Sequence, residues 1–286
     1  MKVLVLGGGQ IAKAVAVAAP AQHEVAIRTH ADLDIIDERA MARAIADVEA
    51  GWIVNAAAYT AVDLAEDQTA RAFAVNDTAV ASLDRASARE GAKLLHLSTD
   101  FVFDGEANRA YLPTDRTNPL GVYGSSKLGG ERHVIAGGAG IVLRTSWVYA
   151  ANGNNFVLTM LRLMREKDQI SVVCDQIGAP TWAASTATAI WGLIDAQAAP
   201  GIYHWTDMGV ASWYDFAVAI QEEALARGLL SRAIPISPIY SSEYPSRARR
   251  PAFSVLDSAL TRSLITAPAR HWRHNLRMML DELRTA

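Results

Sequence analysis

No stretch restricts the fold more than the opening "MKVLVLGGGQIAKAVAVAA". Lys2 to Gly7 is a continuous apolar run closed by glycine, the pattern of a strand buried on both faces. Ile11 to Ala19 then reads as a helix that Pro20 stops. Between them, Gly7-Gly8-Gly9-Gln10-Ile11-Ala12 fits G-x-G-x-x-A where the pattern has meaning, at a strand turning directly into a helix. Gly7 allows the tight turn, Gly9 lets a pyrophosphate approach the backbone, and Ala12 lets helix and strand pack closely. The helix N-terminus adds N–H donors and a positive dipole. A plain glycine turn is the alternative; position and context favour a dinucleotide.

The same alternation continues. Strands are expected at 24–29, 52–58, 92–99 and 140–149, and helices at 37–49, within 61–91 and from about Tyr123 to Ile135, with Asp37 a suitable N-cap. Strand and helix alternating in this way imply an α/β fold, a doubly wound parallel sheet of Rossmann type covered on both faces. Beyond residue 150 the rhythm loosens, and the segments 175–182, 201–207 and 241–253 read as loops and short elements. The expected division is a dinucleotide-binding domain over 1–150, to which the chain returns around 170–200, and a smaller, interleaved substrate domain within 151–286. No internal repeat or low-complexity tract is present.

Composition excludes several classes. With 286 residues, half of them hydrophobic, the chain can bury a large core. A net charge of -3 gives no pull toward nucleic acid or an anionic membrane, so neither is an expected partner. The one basic cluster, Arg247-Ala248-Arg249-Arg250, is too short for a nucleic-acid surface and needs a local cause. Gly7-Gly8-Gly9 interrupts the N-terminal apolar stretch too early for a secretory signal, and no uncharged apolar run reaches membrane-spanning length. Cys174 is the only cysteine, and neither Cys-x-x-Cys nor His-Glu-x-x-His occurs. A reducing cytoplasm, no disulfide and no metal site are expected.

At the end of the second strand, an acidic residue would select NAD through its ribose. Arg28-Thr29-His30 stands there instead, with the first carboxylate at Asp32. A guanidinium suits a 2′-phosphate, so NADPH is the expected cofactor and NADH the alternative. Three polar clusters fall at strand ends, where ligands bind a parallel sheet: Asn55 to Thr60, Ser98-Thr99-Asp100 and Thr145-Ser146-Trp147. The following helix carries Tyr123 and Lys127, neighbours at i and i+4. A phenol alone is a poor proton donor near neutral pH, and a neighbouring ammonium lowers its pKa toward the working range. With a strand-end hydroxyl to hold a carbonyl, these are the parts of hydride transfer with protonation.

The segments "NAAAYTAVDLAE" (55–66), "LSTDFVFDG" (97–105), "NPLGVYGSSKLGGE" (118–131), "RTSWVYAANGNNF" (144–156), "DQIGAPT" (175–181), "YPSRARRP" (244–251) and "MLDEL" (279–283) span nearly the whole chain. Together they resemble the extended short-chain dehydrogenase/reductase superfamily and, within it, the dTDP-4-dehydrorhamnose reductase family. The resemblance implies reduction of the C4 keto group of a dTDP-4-keto-6-deoxy sugar to dTDP-L-rhamnose. It implies Thr99 as the substrate-orienting hydroxyl, Tyr123 as the general acid, and Lys127 as the residue tuning Tyr123 and holding the nicotinamide ribose. Expected cofactor contacts are Gly7, Gly9, Gln10, Ile11, Arg28, Asp34, Asn55, Ala56, Ala57 and Tyr59. Expected substrate contacts are Thr99, Asp100, Phe103, Trp147, Asn155, Gln176, Thr181, Arg249 and Arg250.

There are departures. The glycine loop is one residue shorter than the family's G-x-x-G form, and Ile11 to Ala19 lacks the acid through which some members bind a bridging metal. No metal site is carried over, and monomer and homodimer both remain open. Asp63 and Glu66 read as a charged first helical turn rather than a carboxylate pair. Asn76 is given a supporting role, His96 reads as packed within an apolar strand, and Trp205 and Trp213 as lining or supporting the substrate lobe. Two other functions compete: a sugar-nucleotide dehydratase or epimerase, and a catalytically silent cofactor-binding subunit. Asp100-Phe101 in place of an Asp-Glu pair opposes the dehydratase, Arg28 opposes the NAD-using epimerase, and the retained Thr99, Tyr123 and Lys127 oppose silence.

Overall fold

The structure, a computed structural model, describes residues 1–268 and 270–285. The first half supplies strands β1 (Lys2–Leu6), β2 (Glu24–Arg28), β3 (Trp52–Asn55), β4 (Lys93–Thr99) and β5 (Ile141–Thr145). Between them run α1 (Gln10–Val17), α2 (Glu38–Val48), α3 (Val62–Ala65), α4 (Thr69–Phe73), α5 (Ala79–Arg89) and α6 (Val122–Gly137). Asp37 caps α2, its carboxylate accepting from the Arg39 and Ala40 N–H groups. The 61–91 region is more broken than one or two helices. After α3, α4 and α5 are joined through a π-helical turn over Ala74–Thr78 that contains Asn76. Such turns recur at functional sites because the extra residue re-aims a side chain.

The second half adds strands β6 (Val148–Tyr149), β7 (Ile170–Val173), β8 (Ile177–Gly178), β9 (Thr181–Trp182), β10 (Gly201–His204), β11 (Ala211–Ser212) and β12 (Ile236–Ile239). Its helices are α7 (Phe156–Glu166), α8 (Ala183–Asp195), α9 (Trp213–Ala226), α10 (Ala259–Leu264) and α11 (Trp272–Thr285). The main sheet runs β10-β5-β4-β3-β1-β2 with every pairing parallel. Its sixth strand, β10, lies inside the 201–207 stretch that sequence pattern assigns to loops and short elements. Half of this strand is Tyr203 and His204, so it lacks a clean apolar run. After the second half begins, α8 packs on α1 and β10 pairs with β5 in the main sheet. Residues 170–173 instead pair with β12, outside the main sheet.

Each sheet face has its own core. Val3, Val5, Leu95, Leu97 and Leu143 meet Val15 of α1 and Ile190 and Trp191 of α8. Leu4, Leu6, Ile53, Leu94 and Val142 meet Met41 and Ile45 of α2, Leu83 of α5 and Val134 of α6. Period-two alternation along β1 and β4 thus divides the strands between the two layers. Trp205 joins the first of these cores, with 1 % of its surface exposed, rather than the substrate side. A further core gathers α7, α9 and α11 around Phe216, Leu276 and Leu280. The carboxyl ends of β1, β3, β4 and β5 face this second assembly through the loops described next.

Candidate active site

The turn after β1 is built as a phosphate cradle. Gly7 has φ +116°, and a Cβ there would sit 2.9 Å from the Ala56 carbonyl carbon, so only glycine fits. Gly9 caps α1 with no side chain, and a Cβ on it would meet nothing within 4 Å. The free N–H groups of α1 therefore open onto a trough of about 290 Å³. Gly7, Gly8, Gly9, Arg28, His30, Asp34, Ala56, Ala57, Tyr59 and Arg71 line it. Asp32 is occupied locally, accepting from the Thr29 N–H at 2.9 Å and the Thr29 hydroxyl at 2.8 Å. These residues fit a dinucleotide: a bare backbone for the pyrophosphate, and a wall where the guanidinium groups of Arg28 and Arg71 stand with His30 and Asp34. His30 and Arg71 were not singled out from sequence; Arg71 reaches the trough only because α4 folds over it.

The other expected cofactor residues have defined places. Gln10 leans away from the trough, its Oε1 accepting from Asn155 Nδ2 at 2.8 Å. Ile11 packs against the core of α1 and α8. Asn76 holds the β3 loop from both sides, accepting from the Tyr59 N–H at 2.9 Å and donating to the Tyr59 carbonyl at 3.0 Å. Its Nδ2 also donates to Ser126 Oγ at 3.0 Å, which ties this loop to α6.

At the carboxyl end of β4, Thr99 and Tyr123 meet. A Cβ at Gly124 would lie 2.2 Å from the Phe101 carbonyl oxygen, so its absence lets α6 close on the 3₁₀ turn Asp100–Val102. The Phe101 ring stands edge-on to Tyr123 at 5.6 Å, and the Thr99 hydroxyl, which donates to Asp100 Oδ1 at 3.1 Å and accepts from the Phe101 N–H at 3.2 Å, lies near enough to act on the phenol. One turn along α6, Lys127 is buried and donates to the Leu97 carbonyl at 2.6 Å, with His96 Nε2 3.3 Å away. Burial pushes the Tyr123 phenol up to about 12, with the Thr99 bond pulling the other way and Asp100 adding to the rise. Burial pulls Lys127 down to about 8, partly offset by Glu131. Lys127 is not among the groups that shift the phenol, so the expected lowering is absent here and desolvation leaves Tyr123 holding its proton tightly.

The expected substrate residues divide into an open wall and a buried frame. Trp147 adopts φ +47°, a strained conformation for a bulky residue, and this break separates β5 from β6. It stacks on Trp213 with centroids 3.5 Å apart, and Phe156 lies 4.6 Å beyond. Gln176 steadies this wall, accepting from Trp213 Nε1 at 3.2 Å and donating to Ser241 Oγ at 2.9 Å. Asn155 caps α7 through the Leu158 N–H at 3.1 Å and bridges to the Ala150 and Asn152 carbonyls. Thr181 is fully buried and donates to the Ala179 carbonyl at 3.1 Å. Phe103 is fully buried too, stacked on Tyr111 at 4.0 Å. Neither of these two side chains reaches an open surface.

The basic cluster finds its local cause. Arg250 Nη2 lies 2.7 Å from Asp63 Oδ2, and Arg247 pairs with Asp67. Asp63 Oδ1 also accepts from the Ser246 hydroxyl at 2.9 Å and the Ala248 N–H at 3.1 Å. Glu66 Oε1 accepts from the Val122 N–H at 2.9 Å, a carboxylate at the positive end of α6. So α3 straps the 246–250 loop to the entry of the catalytic helix, while Arg249 stays exposed. No local pattern announces these pairings, which span more than fifty positions of sequence.

Relatives agree with this geometry. The RmlD substrate binding domain model matches residues 1–285. The dTDP-4-dehydrorhamnose reductase of Burkholderia thailandensis is 40 % identical over 295 aligned residues, covering 99 % of both chains. A crystal structure of a dTDP-4-dehydrorhamnose reductase from Clostridium acetobutylicum superposes with a TM-score of 0.92 at 35 % identity, covering 99 % of this chain and 100 % of that one. The reductase of Bacillus anthracis, crystallised in complex with NADP, also gives 0.92, at 31 % identity over 98 % of this chain and 99 % of that one. The chain belongs to the RmlD family, the family of the dTDP-4-dehydrorhamnose reductases.

Proposed function

We propose that this protein reduces the C4 keto group of dTDP-4-dehydrorhamnose to the alcohol of dTDP-L-rhamnose, using NADPH. The observation that carries the reading is the meeting of Thr99, Tyr123 and Lys127 at the carboxyl end of β4, beside the glycine-lined trough. Gly7, Gly9 and the α1 N-terminus hold the pyrophosphate, and Arg28 with His30 and Arg71 receives the 2′-phosphate. The bound dinucleotide supplies the hydride that the keto carbon accepts. Thr99 orients the keto oxygen. Tyr123, whose proton burial retains to about 12, delivers it to that oxygen, so acid catalysis runs in the reductive direction. Lys127, when charged, steadies the phenolate left behind.

The sugar is received by the unit formed mainly from residues 151–286, against Trp147, Trp213 and Phe156. Gln176 and Asn155 orient that wall. Arg249, which is exposed, and Arg250, which Asp63 holds beside it, would meet the nucleotide, and the buried Asp100 supports Thr99. Thr181 and Phe103, both fully buried, serve as support rather than as direct contacts.

The test is to supply purified protein with dTDP-4-dehydrorhamnose and NADPH and to follow nicotinamide absorbance. Oxidation is expected in the wild type, with a loss of roughly 10²–10⁴-fold in Tyr123→Phe while cofactor still binds. No turnover by wild type with cofactor bound would favour a silent subunit instead.

A further inference from the structure

His96 has no solvent exposure and lies on the α6 face of β4, in register with Asn55 of β3. Its Nδ1 is 3.0 Å from Asn55 Nδ2, and its Nε2 is 3.3 Å from Lys127 Nζ. A Cβ on Gly130 would stand 3.2 Å from Nε2, so α6 presents no side chain there to push the ring aside. The orientation of the Asn55 amide is not free. Its Oδ1 is 3.2 Å from the Ala57 N–H, which can only donate, so the amide nitrogen must face the imidazole. An amide nitrogen also only donates, which leaves Nδ1 as the bare, accepting nitrogen. A neutral ring then carries its proton on Nε2, pointing at Lys127. Burial and the neighbouring lysine hold the imidazole well below its ordinary pKa, so the ring is neutral. An ammonium has no lone pair, and an N–H can bond Nζ only when the amine is uncharged.

We propose that His96 is a positioning residue for Lys127: Asn55 locks its ring in the Nε2–H form, and that N–H donates to the lysine, favouring the free amine over the ammonium. The role given to Lys127 rests on the reductase reading above. Among the described residues, these groups face the lysine or its immediate partners. On α6, Glu131 favours the charged form but is shared with Arg144 of β5, at 2.9 and 2.7 Å. From β4 come His96 and the Leu97 carbonyl, with Asp100 acting on Tyr123 at the strand end. From β3 comes only the uncharged Asn55, and the π turn brings Asn76 through Ser126. Lys127 is thus poised between its two forms, and negative charge brought by ligands tips it to the ammonium that Tyr123 needs.

The ring can be read directly. Nitrogen-15 spectra of histidine-labelled full-length protein, free and with NADPH, are expected to show His96 protonated at Nε2 and bare at Nδ1 near neutral pH. A proton on Nδ1, or an imidazolium, overturns the proposal. This readout needs no sugar substrate, so it stands or falls separately from the reductase reading. In His96→Gln an amide replaces Nε2 and can turn its oxygen toward Lys127, accepting from the ammonium. If the ammonium form of Lys127 is the active one, as the reductase reading requires, kcat should fall as pH rises through its titration, and in this variant that alkaline limb is expected to move up by about one pH unit. The KM for NADPH should change less than kcat. An unmoved limb in a folded variant overturns the proposal; if the variant does not fold, the wild-type spectra decide.

Discussion

At the residue scale, burial governs the two acids at the end of β4 in the same direction. Tyr123 and Asp100 are both held toward their protonated forms, Asp100 at about 6 because its desolvation outweighs bonds from Ser254 and Thr99. Because the folded value of Asp100 lies above its ordinary 3.8, its contribution to stability is complete below about 3.8 and is lost as pH rises through about 6. Above that, the ionised carboxylate costs the folded state about 2–3 kcal/mol. Asp100→Asn is therefore expected to raise Tm relative to wild type at about pH 7.5 and to change it little at about pH 4. Equal Tm differences at the two pH values would contradict this. The spacing of Tyr123 to Lys127 and the strand ends around them were legible in the sequence. The sign of the Tyr123 pKa shift was not, since burial is a property of the packed site.

At the scale of elements, α6 shows tertiary packing overriding local preference. Its sequence "VYGSSKLGGERHVIAG" contains four glycines, poor helix formers, yet it runs unbroken from Val122 to Gly137. The helix expected over Tyr123 to Ile135 is therefore present and slightly longer. Gly124 and Gly130 let it press against the Phe101 carbonyl and the Asn76 carbonyl, bringing Tyr123 and Lys127 to the sheet. Its far end is anchored by Glu131, which meets Arg144 of β5 in a two-pronged pair, both side chains 2 % exposed. Arg144 also covers the Phe103 ring at 5.0 Å and approaches His204 Nε2 at 3.3 Å. Removing one partner of such a pair strands a buried charge. Glu131→Gln is expected to cost roughly 3 kcal/mol in chemical denaturation. An unchanged midpoint and slope would show that the pair is dispensable.

At the scale of the molecule, Asp63 ties the 246–250 loop to the first half of the chain through three hydrogen bonds. Asp63→Ala releases the 246–250 loop while leaving the glycine trough intact. Steady-state kinetics should show the KM for the nucleotide sugar rising about tenfold, the equivalent of about 1.4 kcal/mol, with the KM for NADPH nearly unchanged. A matching rise in both constants would place the strap elsewhere.

By itself the sequence determined the order of the strands through β5, the glycine turn, the cap of α2 and the i,i+4 spacing of Tyr123 and Lys127 on one helix. Each of these is written within a few neighbouring residues, as a period, a turn or an i,i+4 spacing. Only the tertiary structure decided that 201–204 completes the main sheet, that Thr181 and Phe103 are sealed from the surface, and that the basic cluster is tied to α3. It alone decided that His96 faces Lys127. These depend on desolvation and on contacts between residues distant in the chain, which exist only once the layers have closed.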